Sequence, residues 1–410
     1  MTLTPTESGP PRSPVDPIAE ISLAALNADP YPIYARLRAH EPVAWVPALG
    51  YHLVTRYEDI VTIERNPGVF SSAEDPSVVV RAIGKVLMRR DGESHRALRA
   101  AAEASFRPRA VRSWADRFRA LADDLLDDLG GPGPGEADLF ADYFRPLAAR
   151  ALAAVLGLRG VSDTELFNWS QDMIDGCANH AQDPAVWARN DAAVTALDAA
   201  VAASSEHFLA NPDDSIVSAM LHVDPPLDVD DVQLNVRVII AGGINELRDS
   251  GATATYALLT HPEQRAAVEA DPTLWKRVFE EAVRWIAPIG MYPRQVVEDT
   301  QLAGVPLHRG ARVGVVVASA NRDERRFTAP DEFDIHAHTA GHLAFGSGPH
   351  FCLGAWMARI CIGQIALPAL FDRFEGLELA NDIETRWAGW VFRGPLNLPV
   401  RWRRDRSCPQ

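Results

Sequence analysis

The run FGSGPHFCLGAWMAR, which begins at Phe345, places one cysteine among three glycines directly before an apolar stretch. The glycines at positions 346, 348 and 354 allow the backbone to turn tightly and to lie close against a flat object. A helix that begins after Cys352 would direct its N-terminal amides at the sulfur, which stabilises a thiolate. Two interpretations are open: Cys352 is a small buried core residue, or its sulfur is presented to a bound group.

Two pairs of polar residues elsewhere stand at helical spacing. Glu281 and Arg284 lie three residues apart in FEEAVRW, and His95 and Arg99 lie four residues apart in ESHRALR. Such spacing brings both members of a pair to one helical face. Taken alone, each pattern is typical of an ordinary exposed ion pair or a charged helix face.

The elements that must position these residues are mainly helical. Residues with helical periodicity fill long segments that are separated by breakers such as GGPGPG and NPDD. Alternating segments within 43–55 and 287–340, notably VAWVPALGYHLVT and ARVGVVVASA, predict strands. The predicted fold class is therefore mainly α with a small β region. The predicted helices are 95–129, 138–156, 164–176, 184–210, 229–259, 262–285 and 355–374.

Length and charge narrow the function classes. The 410 residues carry a formal net charge of -15, which opposes attraction to nucleic acid or to an anionic membrane. Residues 1–16 are polar and proline-rich, which predicts a disordered tail, and 17–410 are expected to form a single domain. No apolar run reaches the ~18 residues that span a bilayer, and the start of the chain lacks the apolar core of a signal peptide. We therefore expect a cytoplasmic protein.

The cysteines are Cys177, Cys352, Cys361 and Cys408, and they form neither a CxxC pair nor a dense cluster. This spacing argues against a disulfide scaffold and against a structural zinc site. The chain also lacks a flavin fingerprint and a cysteine set for an iron–sulfur centre. Any redox chemistry would therefore need electrons from outside.

The complete spacing Phe345-x-x-Gly348-x-His350-x-Cys352-x-Gly354 resembles the heme-binding loop of the cytochrome P450 family. The resemblance implies heme b as the cofactor, Cys352 as its axial metal ligand, and Phe345, His350 and Gly354 as cofactor-binding residues. A thiolate ligand pushes electron density onto the iron and favours O–O cleavage. On this interpretation the glycines permit close approach to the porphyrin.

The polar pairs match the same family in the right order. Glu281 and Arg284 resemble its internal ion pair behind the heme, which has a structural role. Charge-assisted hydrogen bonds to a buried carboxylate are strong, and the family uses them to hold the heme propionates. The residues that resemble these propionate donors are His95, Arg99, Arg294 and His350.

The resemblance covers residues from about 29 to 402 and implies the family's triangular, mainly helical domain, with the heme-thiolate loop at 345–354. It implies a monooxygenase that inserts one oxygen atom of dioxygen into a small hydrophobic, aromatic substrate. NAD(P)H would supply the electrons through a separate partner, a ferredoxin or a flavin/iron–sulfur reductase. Arginines at 107, 109, 112 and 359 form either a local docking patch for this partner or an ordinary charged face.

The sequence departs from the family at the proton-delivery helix, VIIAGGINELRDSGA. Asn245 stands where the family usually has an acid, and Glu246 stands where it usually has a threonine. A carboxyl group in an apolar pocket has a raised pKa and can act as a general acid. We therefore assign proton delivery to Glu246, with Asn245 orienting it or a water; otherwise Glu246 is a helix residue that faces solvent. Arg248 and Asp249 belong to the same network or form an exposed pair.

A second departure lies before the cysteine loop. Many bacterial members carry an arginine at the position of Ala337, where it completes a triad with the Glu281–Arg284 pair. His336 and His338 flank this position and are the candidates to compensate.

The positions that match the family's substrate-recognition segments carry small or apolar side chains, which suit a modest hydrophobic substrate. A weaker resemblance, through stretches such as NPDDSIVSAMLH and GWVFRGPLNLPV, links the chain to bacterial cytochromes P450 that demethylate methoxyphenols such as guaiacol. The substrate-lining candidates are Val80, Ile83, Trp169, Cys177, Val238, Gly242, Ile289, Met291 and Phe392.

Two alternatives to this O-demethylation remain. One is another oxidation in secondary metabolism, or a peroxide-driven reaction, on the same heme-thiolate centre. The other is a non-catalytic heme protein that senses a small ligand, which only the unusual pair at 245 and 246 favours.

Overall fold

The computed structural model describes residues 21–131, 133–179, 181–380 and 382–407, and most of them are helical. The predicted tail, 1–16, lies outside the described residues. The α-helices in chain order are α1 Leu23–Ala28, α2 Tyr31–His40, α3 Tyr57–Arg65, α4 Val78–Ile83, α5 Gly92–Phe106, α6 Pro108–Ser113, α7 Ala115–Leu129, α8 Arg145–Leu156, α9 Asp163–Cys177, α10 Pro184–Ala210, α11 Ile216–His222, α12 Val229–Ala241, α13 Ile244–Thr260, α14 Pro262–Ala270, α15 Trp275–Trp285, α16 Val317–Ala320, α17 Ala355–Ala358 and α18 Leu367–Arg373.

Short irregular helices supplement these elements. π-helical turns at Phe140–Phe144 and Arg359–Ala366 lead into α8 and α18. Turns of 3₁₀ helix span Leu87–Arg89, Pro272–Leu274 and Gly348–His350. No helix in the described part of the chain is long and apolar enough to cross a membrane.

The strands are short and gather in small sheets. The largest sheet has the order β1-β2-β8-β5-β3, in which β2 and β8 are parallel and the other neighbours are antiparallel. The strands in chain order are β1 Val43–Val46, β2 Tyr51–Val54, β3 Phe70–Ser71, β4 Gly135–Asp138, β5 Tyr292–Val296, β6 Thr300–Leu302, β7 Val305–Leu307, β8 Arg312–Val315, β9 Phe374–Glu375, β10 Glu378–Leu379, β11 Trp387–Ala388, β12 Gly394–Pro395, β13 Pro399–Trp402 and β14 Arg404–Asp405.

Local signals account for the helices that the sequence predicted well. Ser162 and Glu165 form a reciprocal capping box at the start of α9. Asp183 caps the first turn of α10, and Pro184 occupies its first position, where the missing N–H is not needed. The prediction of a helix over 184–210 is confirmed at both ends.

Glycine and proline divide three of the predicted helices. The segment 95–129 becomes α5, α6 and α7, with breaks before Pro108 and at Trp114. The segment 262–285 is interrupted by the 3₁₀ turn that begins at Pro272. The segment 229–259 is divided at Gly242 and Gly243, where a Cβ on Gly243 would lie 2.3 Å from the Ile239 carbonyl oxygen. This last break lies beside Glu246.

The predicted β region is confirmed in part. The two strands in 43–55 pair as expected. In 287–340 the largest sheet ends at Val315, and the chain enters α16 rather than continuing as a strand through ARVGVVVASA. The four-residue α16 is wholly buried, so burial and not alternation explains its apolar composition.

Three apolar clusters form the core. The largest is helical and contains residues of α7, α8, α13 and α15. Two smaller clusters lie on the two faces of the largest sheet, because neighbouring residues such as Leu53 and Val54 point to opposite faces. Helix α13 packs against both α8 and α15. It therefore holds Asn245 and Glu246 on a rigid support.

Candidate functional site

The cysteine loop is closed by its own backbone. The Cys352 N–H donates to the Phe345 carbonyl at 2.8 Å, and the Gly354 N–H donates to the Cys352 sulfur. Gly348 has a φ of 63°, and a Cβ at this position would lie 2.4 Å from the carbonyl oxygen of Glu64. Glycine is therefore required at 348 both by the left-handed conformation and by the close approach of α3.

The described residues leave the side chain of Cys352 uncovered. Its side chain is solvent-accessible, yet surrounding protein raises its pKa above the ordinary value through desolvation. Metal coordination overrides such a shift, because a bound cation deprotonates the thiol.

Three of the predicted propionate donors meet on one side of the loop. The rings of His95 and His350 have centroids 4.2 Å apart, and Arg99 Nη1 donates to the Phe351 carbonyl at 2.9 Å. His350 Nε2 lies 2.9 Å from a carboxylate oxygen of Asp91. Helix α5 and the cysteine loop thus bring together residues that are about 250 positions apart in the chain.

His95 carries an unsatisfied ring nitrogen. Its Nε2 is buried and has no hydrogen-bond partner among the described residues. Burial lowers the pKa of His95 to about 4, with further lowering by His350 and Arg99. A neutral imidazole with a free nitrogen is suited to hydrogen bonding with a group that the chain does not supply.

Arg294, the fourth predicted donor, is already paired within the protein. Its Nη2 lies 2.9 Å from Glu64 Oε1, and both side chains are buried. Its guanidinium also stacks on Tyr292. Glu64 was not anticipated from the sequence, where it is one of several acids in α3.

The internal ion pair is buried and bidentate. Arg284 donates from Nε and Nη2 to the two carboxylate oxygens of Glu281 at 2.6 and 2.7 Å. The guanidinium also donates to three backbone carbonyls, those of Asn321, Pro330 and Glu332. The sequence alternative of an ordinary exposed pair is therefore wrong.

The backbone, not a histidine, replaces the arginine that is absent at Ala337. Glu281 accepts a hydrogen bond from the Asp334 N–H at 2.8 Å. No hydrogen bond in the described chain joins the side chain of His336 or His338 to the Glu281–Arg284 pair. The segment 330–334 thus satisfies the pair from one side.

Arg359 is a weak member of the predicted docking patch. Its guanidinium donates to both oxygens of Glu280 at 2.6 and 2.9 Å, and His342 also contacts this carboxylate. Burial alone would raise the pKa of Glu280, but the bonds from Arg359 and His342 lower it to about 2. The charge of Arg359 is therefore compensated, whereas the arginines at 107, 109 and 112 are exposed.

Glu246 has the most unusual environment in α13. Both of its carboxylate oxygens are buried without a hydrogen-bond partner among the described residues, as is Oδ1 of Asn245. Desolvation raises the pKa of Glu246 to about 8; its own backbone N–H and Arg248 lower it, and Asp249 raises it further. The structure does not support the alternative of a solvent-facing residue, and the carboxyl group holds a proton at neutral pH.

Arg248 and Asp249 form a buried pair beside Glu246. Arg248 Nε donates to Asp249 Oδ1 at 2.7 Å, and each side chain is 9% exposed. The guanidinium also stacks on Phe140. The alternative of an exposed pair is wrong, and both residues belong to the polar surroundings of Glu246.

A cavity of about 200 Å³ adjoins this polar group. Of the predicted substrate-lining residues, Phe392 lies on its wall, and Ile289 pairs with Phe392 through a backbone bridge. The cavity extends to Leu396, which is exposed at the surface. Its other lining residues are Gln171, Ile174, Asn245, Glu246, Arg248, Asp249, Pro288, Ala388, Gly389, Gly394 and Pro395.

The remaining substrate-lining candidates lie elsewhere. Val80 and Ile83 are on α4, which packs against α9, the helix that carries Trp169 and Cys177. Val238 and Gly242 are at the end of α12.

Met291 lies in the third apolar cluster. Its sulfur is 3.4 Å from the position of a Cβ on Gly314. Met291 is thus directed into the core beside the largest sheet and not into the cavity that Phe392 lines.

The donor set fits the heme that the sequence resemblance implies. An accessible cysteine thiol, a glycine-lined loop and a buried unpartnered nitrogen on His95 match a flat group with a metal centre and peripheral carboxylates. The described residues hold no cluster of three or more histidine, cysteine or acidic side chains that could form a different metal site.

Comparisons with known proteins agree with this fit. The family model described as Cytochrome P450 matches residues 270–388. Nocardicin C N-oxygenase from Nocardia uniformis subsp. tsuyamanensis is 33% identical, over 98% of this chain and 100% of that protein. 6-Deoxyerythronolide B hydroxylase from Saccharopolyspora erythraea is 30% identical, over 94% and 98%. The solved structure of cytochrome P450 CYP109Q5 from Chondromyces apiculatus superposes with a TM-score of 0.83 at 27% identity, over 96% of this chain and 99% of that one.

Proposed function

The chain belongs to the cytochrome P450 family, and from this premise we propose that it removes the methyl group of a small methoxyphenol such as guaiacol. As a member of the family it is a monooxygenase, it binds heme b, and it takes electrons from NAD(P)H through a separate redox partner. When bound, the heme supplies the iron centre at which dioxygen is reduced and one oxygen atom is transferred.

The residues that would hold the heme are those of the loop and its neighbours. Cys352 supplies the metal ligand, while Phe345 and Gly354 shape the loop around it. The donors to its carboxylates are His95, Arg99, Arg294 and His350. His95 supports this assignment most directly, because its buried nitrogen otherwise has no hydrogen-bond partner in the described chain.

The main structural support for the proposal is the environment of Glu246. It is a protonated, buried carboxyl group, with a pKa of about 8, on the wall of a small cavity. A group with a pKa near the working pH is well suited to give up a proton and to be reprotonated. Asn245, whose amide oxygen is also free, would orient the carboxyl group or a water molecule beside it.

The cavity favours a small aromatic substrate. Its volume of about 200 Å³ is below the ~300–1,000 Å³ of typical ligand pockets. Phe392 offers an aromatic wall on which a ring can pack. These features support a compact methoxyarene more than an extended lipid or macrolide.

The proposed reaction balances with one dioxygen and one NAD(P)H. One oxygen atom enters a C–H bond of the aryl methyl ether and gives a hemiacetal, which breaks down to formaldehyde and a catechol. The other oxygen atom leaves as water with two protons and the two electrons of NAD(P)H. Glu246 is placed to hold and pass one of these protons.

The exposed arginines at 107, 109 and 112 support a docking surface for the redox partner. They lie in and next to α6, and α6 packs against α17, the helix that follows the cysteine loop. An acidic ferredoxin or an acidic reductase domain would complement this local charge.

The test is an optical titration of the heme-loaded protein with guaiacol, other methoxyphenols, a monoterpene and a fatty acid. A methoxyphenol is expected to shift the ferric heme from low to high spin. In a reconstituted system it should yield formaldehyde and catechol in equal amounts, with NADH consumption to match.

Other outcomes would redirect the proposal. A spin shift with only a terpene or fatty acid would overturn O-demethylation while keeping the monooxygenase. Turnover with hydrogen peroxide but not with any reductase would favour the peroxide-driven alternative, which the unusual Asn245–Glu246 pair supports.

A further inference from the structure

Arg89 is a buried cation without a counter-ion. It ends the 3₁₀ turn Leu87–Arg89, and its side chain is 4% exposed. Its one hydrogen bond in the described chain runs from Nη1 to the Ser72 carbonyl at 3.3 Å. Its Nε has no partner, and no carboxylate of the described residues lies within 4 Å of it.

The other buried arginines have more partners than Arg89 has. Arg393, which also lacks a carboxylate partner, donates to the carbonyls of Asn27, Ala28 and Gly389. The remaining buried arginines pair with carboxylates, and the pairs are Arg38–Glu324, Arg248–Asp249, Arg284–Glu281, Arg294–Glu64 and Arg322–Asp331. A guanidinium has five N–H donors, of which Arg89 uses one.

The acid that interacts most strongly with Arg89 is already committed. Glu74 is the largest electrostatic influence on Arg89, but its carboxylate contacts Arg312 at 2.6 Å and accepts from the Tyr51 hydroxyl at 2.8 Å. Arg294 also lies close enough to repel Arg89, and Glu64 balances only Arg294. One positive charge in this buried region therefore has no counter-ion.

An uncompensated buried charge is costly, since the effective desolvation penalty is several kcal/mol per ion. The turn Leu87–Arg89 packs against α5, the helix of the predicted propionate donors, and against α12, whose end carries two predicted substrate-lining residues. Arg89 also interacts electrostatically with Arg294 and with Cys177. Arg89 therefore adjoins the space in which heme and substrate would bind.

We propose that Arg89 binds a carboxylate that the chain itself does not provide. The inference rests on the proposed function, because it requires a heme and an aromatic substrate in this space. Two molecules can bring such a group: a substrate that carries a carboxylate on its ring, such as a methoxybenzoate, or the heme through a propionate. A guanidinium suits either, since it binds carboxylates in a planar, charge-assisted manner.

The first arm of the test compares a matched pair of ligands, 4-methoxybenzoate and 4-methoxybenzamide, by spin-state titration at neutral pH. If the carboxylate belongs to the substrate, the wild-type protein binds the acid more tightly, and Arg89→Gln removes about 10-fold or more of that preference, as expected for a hydrogen bond to a charged group. The affinity for the neutral amide stays unchanged.

The second arm measures the rate at which heme leaves for an excess of apomyoglobin. If the carboxylate is a heme propionate, Arg89→Gln accelerates heme loss by about 10-fold, while the relative affinity for acid and amide is unaltered. Arg90→Gln is the matched control for both arms, because the neighbouring Arg90 is partly exposed and pairs with Asp231 at 3.5 Å.

Arg89→Lys is a control that distinguishes a lost interaction from a folding defect. It retains the positive charge, so it should restore most of the acid preference or of the heme retention, whichever Arg89→Gln loses. Circular dichroism of the heme-free variants separates loss of folding from loss of heme binding. Were neither variant to fold, wild-type protein that binds the amide as well as the acid would count against the substrate carboxylate.

The proposal is overturned if Arg89→Gln folds and changes neither the acid preference nor heme loss. It is also overturned if Arg90→Gln causes the same losses as Arg89→Gln, because the effect would then not depend on the buried guanidinium of Arg89. A heme that no aromatic ligand shifts would instead defeat the proposed function, and the heme-loss arm would still decide the role of Arg89.

Discussion

Two regions of this protein contain buried polar and charged groups that the chain treats differently. Behind the cysteine loop, the proximal cluster consists of Glu280, Glu281, Arg284 and Arg359. Every carboxylate in it is bonded to a guanidinium, and Arg284 also donates to backbone carbonyls. In the distal set, which consists of Arg89, Asn245 and Glu246, polar atoms are buried without partners among the described residues.

The difference separates buried polar groups that stabilise the fold from those that can bind another molecule. Native proteins satisfy nearly all buried polar groups, because an unpaired one costs its full desolvation energy. In the proximal cluster, other residues of the chain supply the hydrogen-bond partners. Each residue of the distal set breaks this rule, which is the basis for expecting its partners from outside the chain.

The largest effect is expected at Cys352, the predicted ligand of the heme iron. Cys352→Ala should abolish the absorption spectrum that a thiolate-ligated, carbon monoxide-bound ferrous heme gives, because the glycine-lined loop 345–354 contains no other cysteine. Cys361→Ala is the control: Cys361 is fully buried, and its loss should leave the heme spectrum intact. Retention of the thiolate spectrum by Cys352→Ala would rule out the ligand assignment.

The second prediction breaks the proximal cluster. Glu281→Gln leaves the guanidinium of Arg284 buried without a counter-ion and should lower the free energy of unfolding by about 3–5 kcal/mol. Denaturant unfolding monitored by circular dichroism measures this change. In the control, Glu269→Gln removes the exposed partner of Arg265 and should cost no more than about 0.5 kcal/mol. Equal effects would show that burial does not distinguish the two pairs.

The third prediction removes the proton donor from the distal set. Glu246→Gln should reduce product formation by about 100-fold, a typical contribution of a general acid, while the protein remains folded. The readout is formaldehyde formed for each NADH consumed, together with the release of hydrogen peroxide. Glu246→Asp, which keeps the acid, should recover part of the coupling. Unchanged coupling in Glu246→Gln would refute the assigned role.

The fourth prediction concerns the pH dependence of stability. The pKa of Glu246 is about 8 in the folded protein against an ordinary value of 4.5, so its contribution to stability is complete below about pH 4.5. Between these values only the folded state keeps the proton, and stability falls as the pH rises, by up to about 1.4 kcal/mol per pH unit. Above about pH 8 the contribution is lost.

Unfolding of the wild-type protein and of Glu246→Gln should be compared between pH 5 and pH 8. The variant is expected to gain stability relative to the wild type as the pH rises, because it lacks the titrating carboxyl group. Parallel curves would mean that Glu246 is not desolvated in the folded protein.

Local patterns in the sequence were sufficient for much of the fold and for part of the site. The capping residues and proline that begin α10 lie within or next to the helix itself. The cysteine loop is likewise a contiguous run, and its close backbone approach to Glu64 shows why glycine stands at 348. The mainly α fold with a small β region, predicted from periodicity and from the family resemblance, is confirmed.

Contacts between distant segments were not predictable in the same way. Arg89 and Arg90 are adjacent and chemically identical, yet the first is buried without a counter-ion and the second pairs with Asp231 near the surface. The pairing of Arg294 with Glu64 joins residues 230 positions apart. Likewise, the backbone near Asp334, not His336 or His338, satisfies Glu281.

The sequence by itself determined the ends of α10, the family and the presence of a cysteine loop shaped by glycines, because each depends on residue types within a short window. Only the tertiary structure decided which polar side chains are satisfied. Burial and ion pairing depend on how distant segments pack, so the free oxygens of Glu246 and the unbalanced charge of Arg89 become visible only when α13, α9 and the turn Leu87–Arg89 are brought together.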